Sequence, residues 1–120
     1  MDETVDLLET AKTVQKNRIG HMFRFAPDAG CEVTTGYVMD ATRESVDNLT
    51  KLRDRLVETT TTTTTIRDFH NQFHTVTVAD LTEITGELVD FGLGLYSRKW
   101  AREQAIEAAT TVEAVESINW

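Results

Sequence analysis

The chain has 120 residues, 40% hydrophobic and 27% charged, enough for one domain with a modest core but not for a large cleft and a separate regulatory lobe. Its net charge of −8 argues against a nucleic-acid binder, because phosphate contact needs a basic stripe, and the one dense basic cluster, Arg98, Lys99 and Arg102, is flanked by acids and reads as a solvated helix face. A single cysteine, Cys31, excludes an intrachain disulfide framework and a multi-cysteine zinc site, and no run of about 18 apolar residues is present to span a membrane.

The acidic opening MDETVDLLE has no apolar h-region, so no secretory signal is expected there. Val5, Leu8, Ala11 and Val14 or Gln15 recur at near-helical spacing behind Asp2, Glu3 and Asp6, which predicts a helix from Asp2 to about Asn17. Its apolar stripe is thin, so it needs neighbours in its own domain or in another chain. From Ile19 to Met39, Gly20, Pro27, Gly30 and Gly36 punctuate the pieces Met22–Phe25, Cys31–Thr34 and Tyr37–Met39, predicting two or three short strands around turns.

Asp40 is the expected cap of a second helix, Ala41 to Glu58, with Val46, Leu49, Leu52 and Leu56 inward. The seven threonines Thr59–Thr65 disfavour helix by β-branching and predict a helix exit and loop that runs into a strand. Ile66 to Val78 reads as a hairpin turning near Asn71-Gln72. Thr77 and Asp80 then resemble a capping box ahead of a long helix reaching about Ala108, roughly 45 Å at 1.5 Å per residue. Leu81, Ile84, Leu88, Phe91 and Leu95 form its first stripe. Val89, Leu93, Tyr96 and Trp100 form a second, and together they make a face that must pack on a sheet, on helices, or on both. Thr110-Thr-Val-Glu113 predicts a capping box for a last short helix, folded back through Val112, Val115 and Ile118, with Trp120 closing a core edge.

Catalytic chemistry finds little purchase. His70 and His74 stand four apart, but in a hairpin that spacing separates them by about 13 Å, too far for one metal ion. His21 with Cys31 lacks any nucleophile motif. The carboxylate pairs Asp40/Glu44 and Glu83/Glu87 read as helix starts and solvated faces. Gly92-Leu93-Gly94 lies inside a helical pattern, without the strand and third glycine of a phosphate loop. No catalytic, cofactor or metal residue is expected.

Three segments carry a resemblance. Phe23 and Phe25 followed by GYVMDATRESVDNL (36–49) look like an aromatic strand, a turn, "D-x-x-R-x-S" and a helix. IRDFHNQFHTVTVADL (66–81) is similar to a strand pair leading into "V-x-L-T-x-x-x-L". AIEAATTVEAVESI (105–118) resembles the ending "I-x-A-A-T-T-x-x-E-L-x-A-I". In that order they resemble an uncharacterised domain family found at the C-terminal end of bacteriophage and prophage tail-fibre and related tail proteins, over most of the chain. Two departures stand out: the segment Arg67 to Asn71 replaces a tryptophan and "A-D-N", and the threonine tract replaces an alanine- and glycine-rich loop.

The resemblance implies a non-enzymatic virion component, made in the host cytoplasm and assembled into the tail. It would be a tail-fibre, tail-tip or baseplate-associated protein that docks to other phage tail proteins. A tail-fibre assembly chaperone and a head-to-tail connector are the alternatives. It also implies a homo-oligomer, with a trimer preferred. The expected fold is α+β: an N-terminal helix, a small antiparallel sheet of short strands, a long amphipathic helix packed on a second helix, and a short C-terminal helix. Residues 1–18 are expected to be an attachment or oligomerisation helix and 19–120 one domain, with Val5, Leu8, Leu88, Phe91, Leu95 and Trp100 as the oligomer or partner interface.

Overall fold

The computed structural model describes the backbone from Glu3 and the side chains from Asp6 to Trp120. It is α+β. The elements in chain order are α1 (Glu3–Phe25), a 3-10 turn (Ala26–Ala29), β1 (Cys31–Glu32), β2 (Val38–Met39), α2 (Arg43–Glu58), β3 (Thr63–Arg67), β4 (Phe73–Thr77), α3 (Val78–Ala108) and α4 (Val112–Glu116). The strands form two separate antiparallel pairs, β1 with β2 and β3 with β4. No described helix is long and apolar enough to cross a membrane.

The chain divides into two compact units. One runs from Pro27 to Leu93; the other joins the N-terminal segment up to Ala26 to Gly94–Trp120. The expected boundary between residues 18 and 19 falls inside α1, and Met22–Phe25 is helix rather than strand. The reason lies in the buried side of α1, where Leu8, Ala11, Gln15, Ile19 and Phe23 step by three and four residues straight through Gly20. The helix stops where Pro27 disfavours helical backbone in the residue before it.

In the Pro27–Leu93 unit, α2 and the first half of α3 share a core with the hairpins. Met39, Leu56, Ile66, Val76, Leu81, Ile84 and Leu88 are buried together, with Leu49, Leu52 and Phe91 packed against them. The α2 cap is Thr42, whose hydroxyl accepts the Ser45 N–H, and not Asp40; Asp40 stands before the cap and accepts the Thr42 N–H at 2.9 Å. The threonine tract divides its work. Thr59 is the C-cap, and Thr60 takes a left-handed φ of 52°. The Thr61 N–H reaches Leu56 O at 3.0 Å and the Thr60 N–H reaches Val57 O at 3.2 Å, the two bonds of a Schellman turn. From Thr63 the same residue type forms β3, as β-branching favours.

The capping box at α3 closes reciprocally: the Thr77 N–H donates to Asp80 Oδ2 at 2.9 Å and the Asp80 N–H to Thr77 Oγ1 at 3.1 Å. At α4 the cap is Thr111, accepting the Ala114 N–H at 3.1 Å, so the box expected from Thr110 and Glu113 becomes a simple cap one residue later.

The other unit is helical. Ile19 on α1, Ile106 on α3 and Val115 on α4 are fully buried against one another, with Leu8, Ala11, Ala109, Ile118 and Trp120 around them. Polar anchors tie α1 to the rest of this unit. Lys12 Nζ donates to Glu107 O at 2.8 Å, Gln15 Nε2 donates to Ile118 O at 2.7 Å, and Lys16 pairs with Glu107.

Candidate docking surface

The residues expected to form an interface divide between the two units. Leu88 and Leu95 are buried within their own units, Leu88 at 1% exposed, so neither is presented to solvent there. Phe91 is half-covered by the core that holds Leu88, and Leu8 by Ile19, Ile106 and Val115. Trp100 is exposed at 55%. Val5 lies in α1, but its side chain is outside the described residues. The second stripe of α3, expected to be packed, is open: Val89, Leu93, Tyr96 and Trp100 are all exposed. The single buried stripe suffices because one line of contacts, through Leu81, Ile84 and Leu88, already meets α2 and the hairpins.

An apolar opening lies on the helical unit. Val14, Asn17, Arg18, His21 and Met22 of α1 face Asn119 and Trp120 across a groove of about 810 Å³. Its floor is Ile19, and no acidic side chain lines it. Two arginines of α3 hold the chain's last two carbonyls at the rim. Arg98 Nε donates to Trp120 O at 2.6 Å and Arg102 Nε to Asn119 O at 2.8 Å. The Arg98 guanidinium also lies 4.5 Å from the centre of the Trp120 ring, and Phe23 meets Trp120 and Tyr96 edge-on or tilted. Trp120 therefore closes the edge of the core, as its position predicts, and presents one side to the groove.

Sequence reasoning missed this surface because α1 is held in place by Lys12 and Gln15, whose acceptors lie about a hundred residues away along the chain. The exposed positions Leu7, Val14, Met22 and Phe25 were the available signal.

A second cluster lies on the Pro27–Leu93 unit. Asp68, buried at the β3–β4 turn, accepts the N–H groups of His70 and Gln72 and bonds His74 Nε2 at 2.7 Å. These hydrogen bonds, that of His74 first, hold the Asp68 carboxyl below the usual aspartate range despite its burial. Tyr37 stacks on the His74 ring at 3.7 Å. Phe69 N–H donates to Val38 O, fastening the turn to β2, and Gly30 beside it has a φ of +80° and no room for a Cβ against Val38 and Phe69. Among the described residues, His74 has no side-chain hydrogen bond except to Asp68, so the pair organises the turn.

His70 and His74 do not share a strand: His70 lies on the exposed turn and His74 on β4. Cys31 and His21 belong to different units. Burial, then the Glu87 carboxylate, raises the Cys31 thiol above its ordinary value, away from the thiolate a nucleophile needs. Glu87 accepts the Thr34 N–H and hydroxyl, and Glu83 is solvated. Burial raises Asp40, but the bonds from Thr42 and Ser45 outweigh it and leave the carboxyl below its ordinary value. Among the described residues, no three His, Cys, Asp or Glu side chains gather as a metal site requires.

A family comparison aligns residues 11–119 with a domain of unknown function, DUF4376. The chain belongs to the DUF4376 family. No curated protein and no solved structure matches it. The DUF4376 match takes in the whole Pro27–Leu93 unit and the helical unit from Ala11 to Asn119, including the groove from Val14 to Asn119.

Proposed function

We propose that this DUF4376 chain is a structural component of a tailed-phage particle, in the tail fibre, tail tip or baseplate, and that it acts by docking to other tail proteins. The observation that carries the docking half is the open apolar groove on the helical unit, with Val14, Met22 and Trp120 presented to solvent and no acidic residue lining it. An apolar opening rimmed by polar groups is what a protein partner covers. The phage half rests on the three-segment resemblance: the aromatic piece with GYVMDATRESVDNL, the hairpin entering the long helix, and the AATT ending.

Mass spectrometry of purified virions from a phage or induced prophage encoding the chain tests the reading. The chain is expected in mature particles at a stoichiometry comparable with other tail proteins. Its absence from finished particles, with capture on an unassembled fibre, would overturn the structural role in favour of an assembly chaperone. Recovery as a ring of about a dozen copies on a portal would overturn the tail placement in favour of a connector.

A further inference from the structure

Along α1 the charges are sorted. Asp6 and Glu9 stand in the first half and Arg18, His21 and Arg24 in the second. Arg24 follows Asp6 by eighteen residues, about five full turns at 3.6 residues per turn, so both lie along the same edge of the helix. Both are exposed, and neither has an ion-pair partner among the described residues. Beside that edge runs an exposed apolar line of Leu7, Val14 and Phe25, with Met22 on the groove side.

We infer that α1 pairs with α1 of a second copy, antiparallel, about a two-fold axis near the level of Gln15. That operation sets equivalent edges of the two helices against each other, so Asp6 of each copy meets Arg24 of the other. Val14 meets its own counterpart near the axis. Leu7 of each copy covers Met22 and Phe25 of its partner, at the mouth of the groove. A parallel bundle, such as the trimer that the resemblance implies, sets each residue at the level of itself. It gathers the acidic first halves, with Asp6 and Glu9, at one end and the basic second halves, with Arg18, His21 and Arg24, at the other, which like-charge repulsion disfavours. The occupant of this face is thus a second copy, in two-fold rather than three-fold symmetry.

The size of the contact sets its strength. The 23 residues of α1 span about 35 Å, and a helix flank about 10 Å wide gives roughly 700 Å² in total from both copies. That is below the roughly 1,200 Å² of a stable standard interface, so the pair is expected to be weak and to depend on concentration.

Sedimentation or light scattering of the full chain across a concentration series tests this, with circular dichroism confirming that each variant folds. Asp6→Arg is expected to weaken the dimer about ten-fold, and Arg24→Asp likewise, while the double swap restores it to within about three-fold of the original. Cysteine placement reads the direction. In a Cys31→Ser background, Val14→Cys is expected to cross-link to itself through a short bis-maleimide. Leu7→Cys is not, because its two copies lie about 24 Å apart at 1.5 Å per residue, whereas a mixture of Leu7→Cys and Phe25→Cys chains cross-links. Self-cross-linking of Leu7→Cys or a trimer mass would overturn the pairing in favour of a parallel bundle. A monomer at every concentration, or failure of the double swap to restore the dimer, would overturn it outright. Those outcomes leave the virion experiment unaffected, because docking to a different protein does not require self-pairing.

Discussion

The two units bury their residues in opposite ways. The Pro27–Leu93 unit encloses a broad apolar core and finishes its one buried carboxylate, Asp68, with hydrogen bonds from its own turn. The helical unit has three fully buried apolar side chains, and long polar side chains that reach backbone carbonyls supply the rest of its cohesion. A core of that size leaves apolar residues over, and these are the ones that open onto the groove. Both units leave apolar residues exposed, Val57, Phe73, Val89 and Leu93 on the one and Leu7, Val14, Met22 and Phe25 on the other, but on the helical unit Val14 and Met22 open onto a groove.

That contrast predicts a graded series of losses. The largest is expected from Leu88→Ala, which opens a cavity in the broader core and should cost about 3–4 kcal/mol in urea unfolding followed by circular dichroism. A loss below about 1 kcal/mol would mean that this core is looser than its burial indicates. Ile106→Ala is expected to cost about 3 kcal/mol, read by tryptophan fluorescence because both tryptophans, Trp100 and Trp120, lie in the helical unit. Thr111→Ala, which removes the α4 cap, should cost about 1 kcal/mol in the same fluorescence assay.

Acid sharpens the comparison from the other side. Asp68 has a folded pKa below its unfolded value, so its contribution is fully present above about pH 4, the unfolded aspartate value, and is lost as pH falls through the folded value. Asp68→Asn is therefore expected to lower stability at neutral pH and to flatten the decline below about pH 4. An unchanged acid limb in urea titrations at pH 2.5 to 6 would remove Asp68 from the account.

Much of this fold is legible in the sequence. The α3 stripe, the Thr77–Asp80 box and the hairpin at Asn71 all follow from local spacing, because the interactions that make them lie within four residues along the helix and its box and within fourteen across the hairpin. The far half of α1 was read as strand because Met22-Phe23-Arg24-Phe25 has a strand-like composition. What makes it helix is contact between Ile19 and Ile106 and Val115, some ninety residues away. The groove was illegible for the same reason. Spacing left Val14 and Gln15 open as the stripe position, and Gln15 is the buried one; Val89, Leu93, Tyr96 and Trp100 read as packed and are exposed. Local pattern tells which residues share a helix face, but which face finds a neighbour is decided elsewhere in the chain.

The threonine tract has a consequence for how the gene can change. Seven identical residues supply a helix cap, a left-handed turn and the first rungs of a strand, and any threonine can take any of those posts. The hairpin is aligned from its far end, where Asp68 gathers the turn, so an eighth threonine would leave Ile66 opposite His74 and would lengthen only the link after Thr60. Lengthening so short a link costs a few tenths of a kcal/mol at most. Insertion of one threonine is therefore expected to move the urea midpoint barely at all, whereas insertion of one residue after Ile66 should collapse the pairing. The repeat works as an expansion joint, a place where the length of the chain can change without changing its fold.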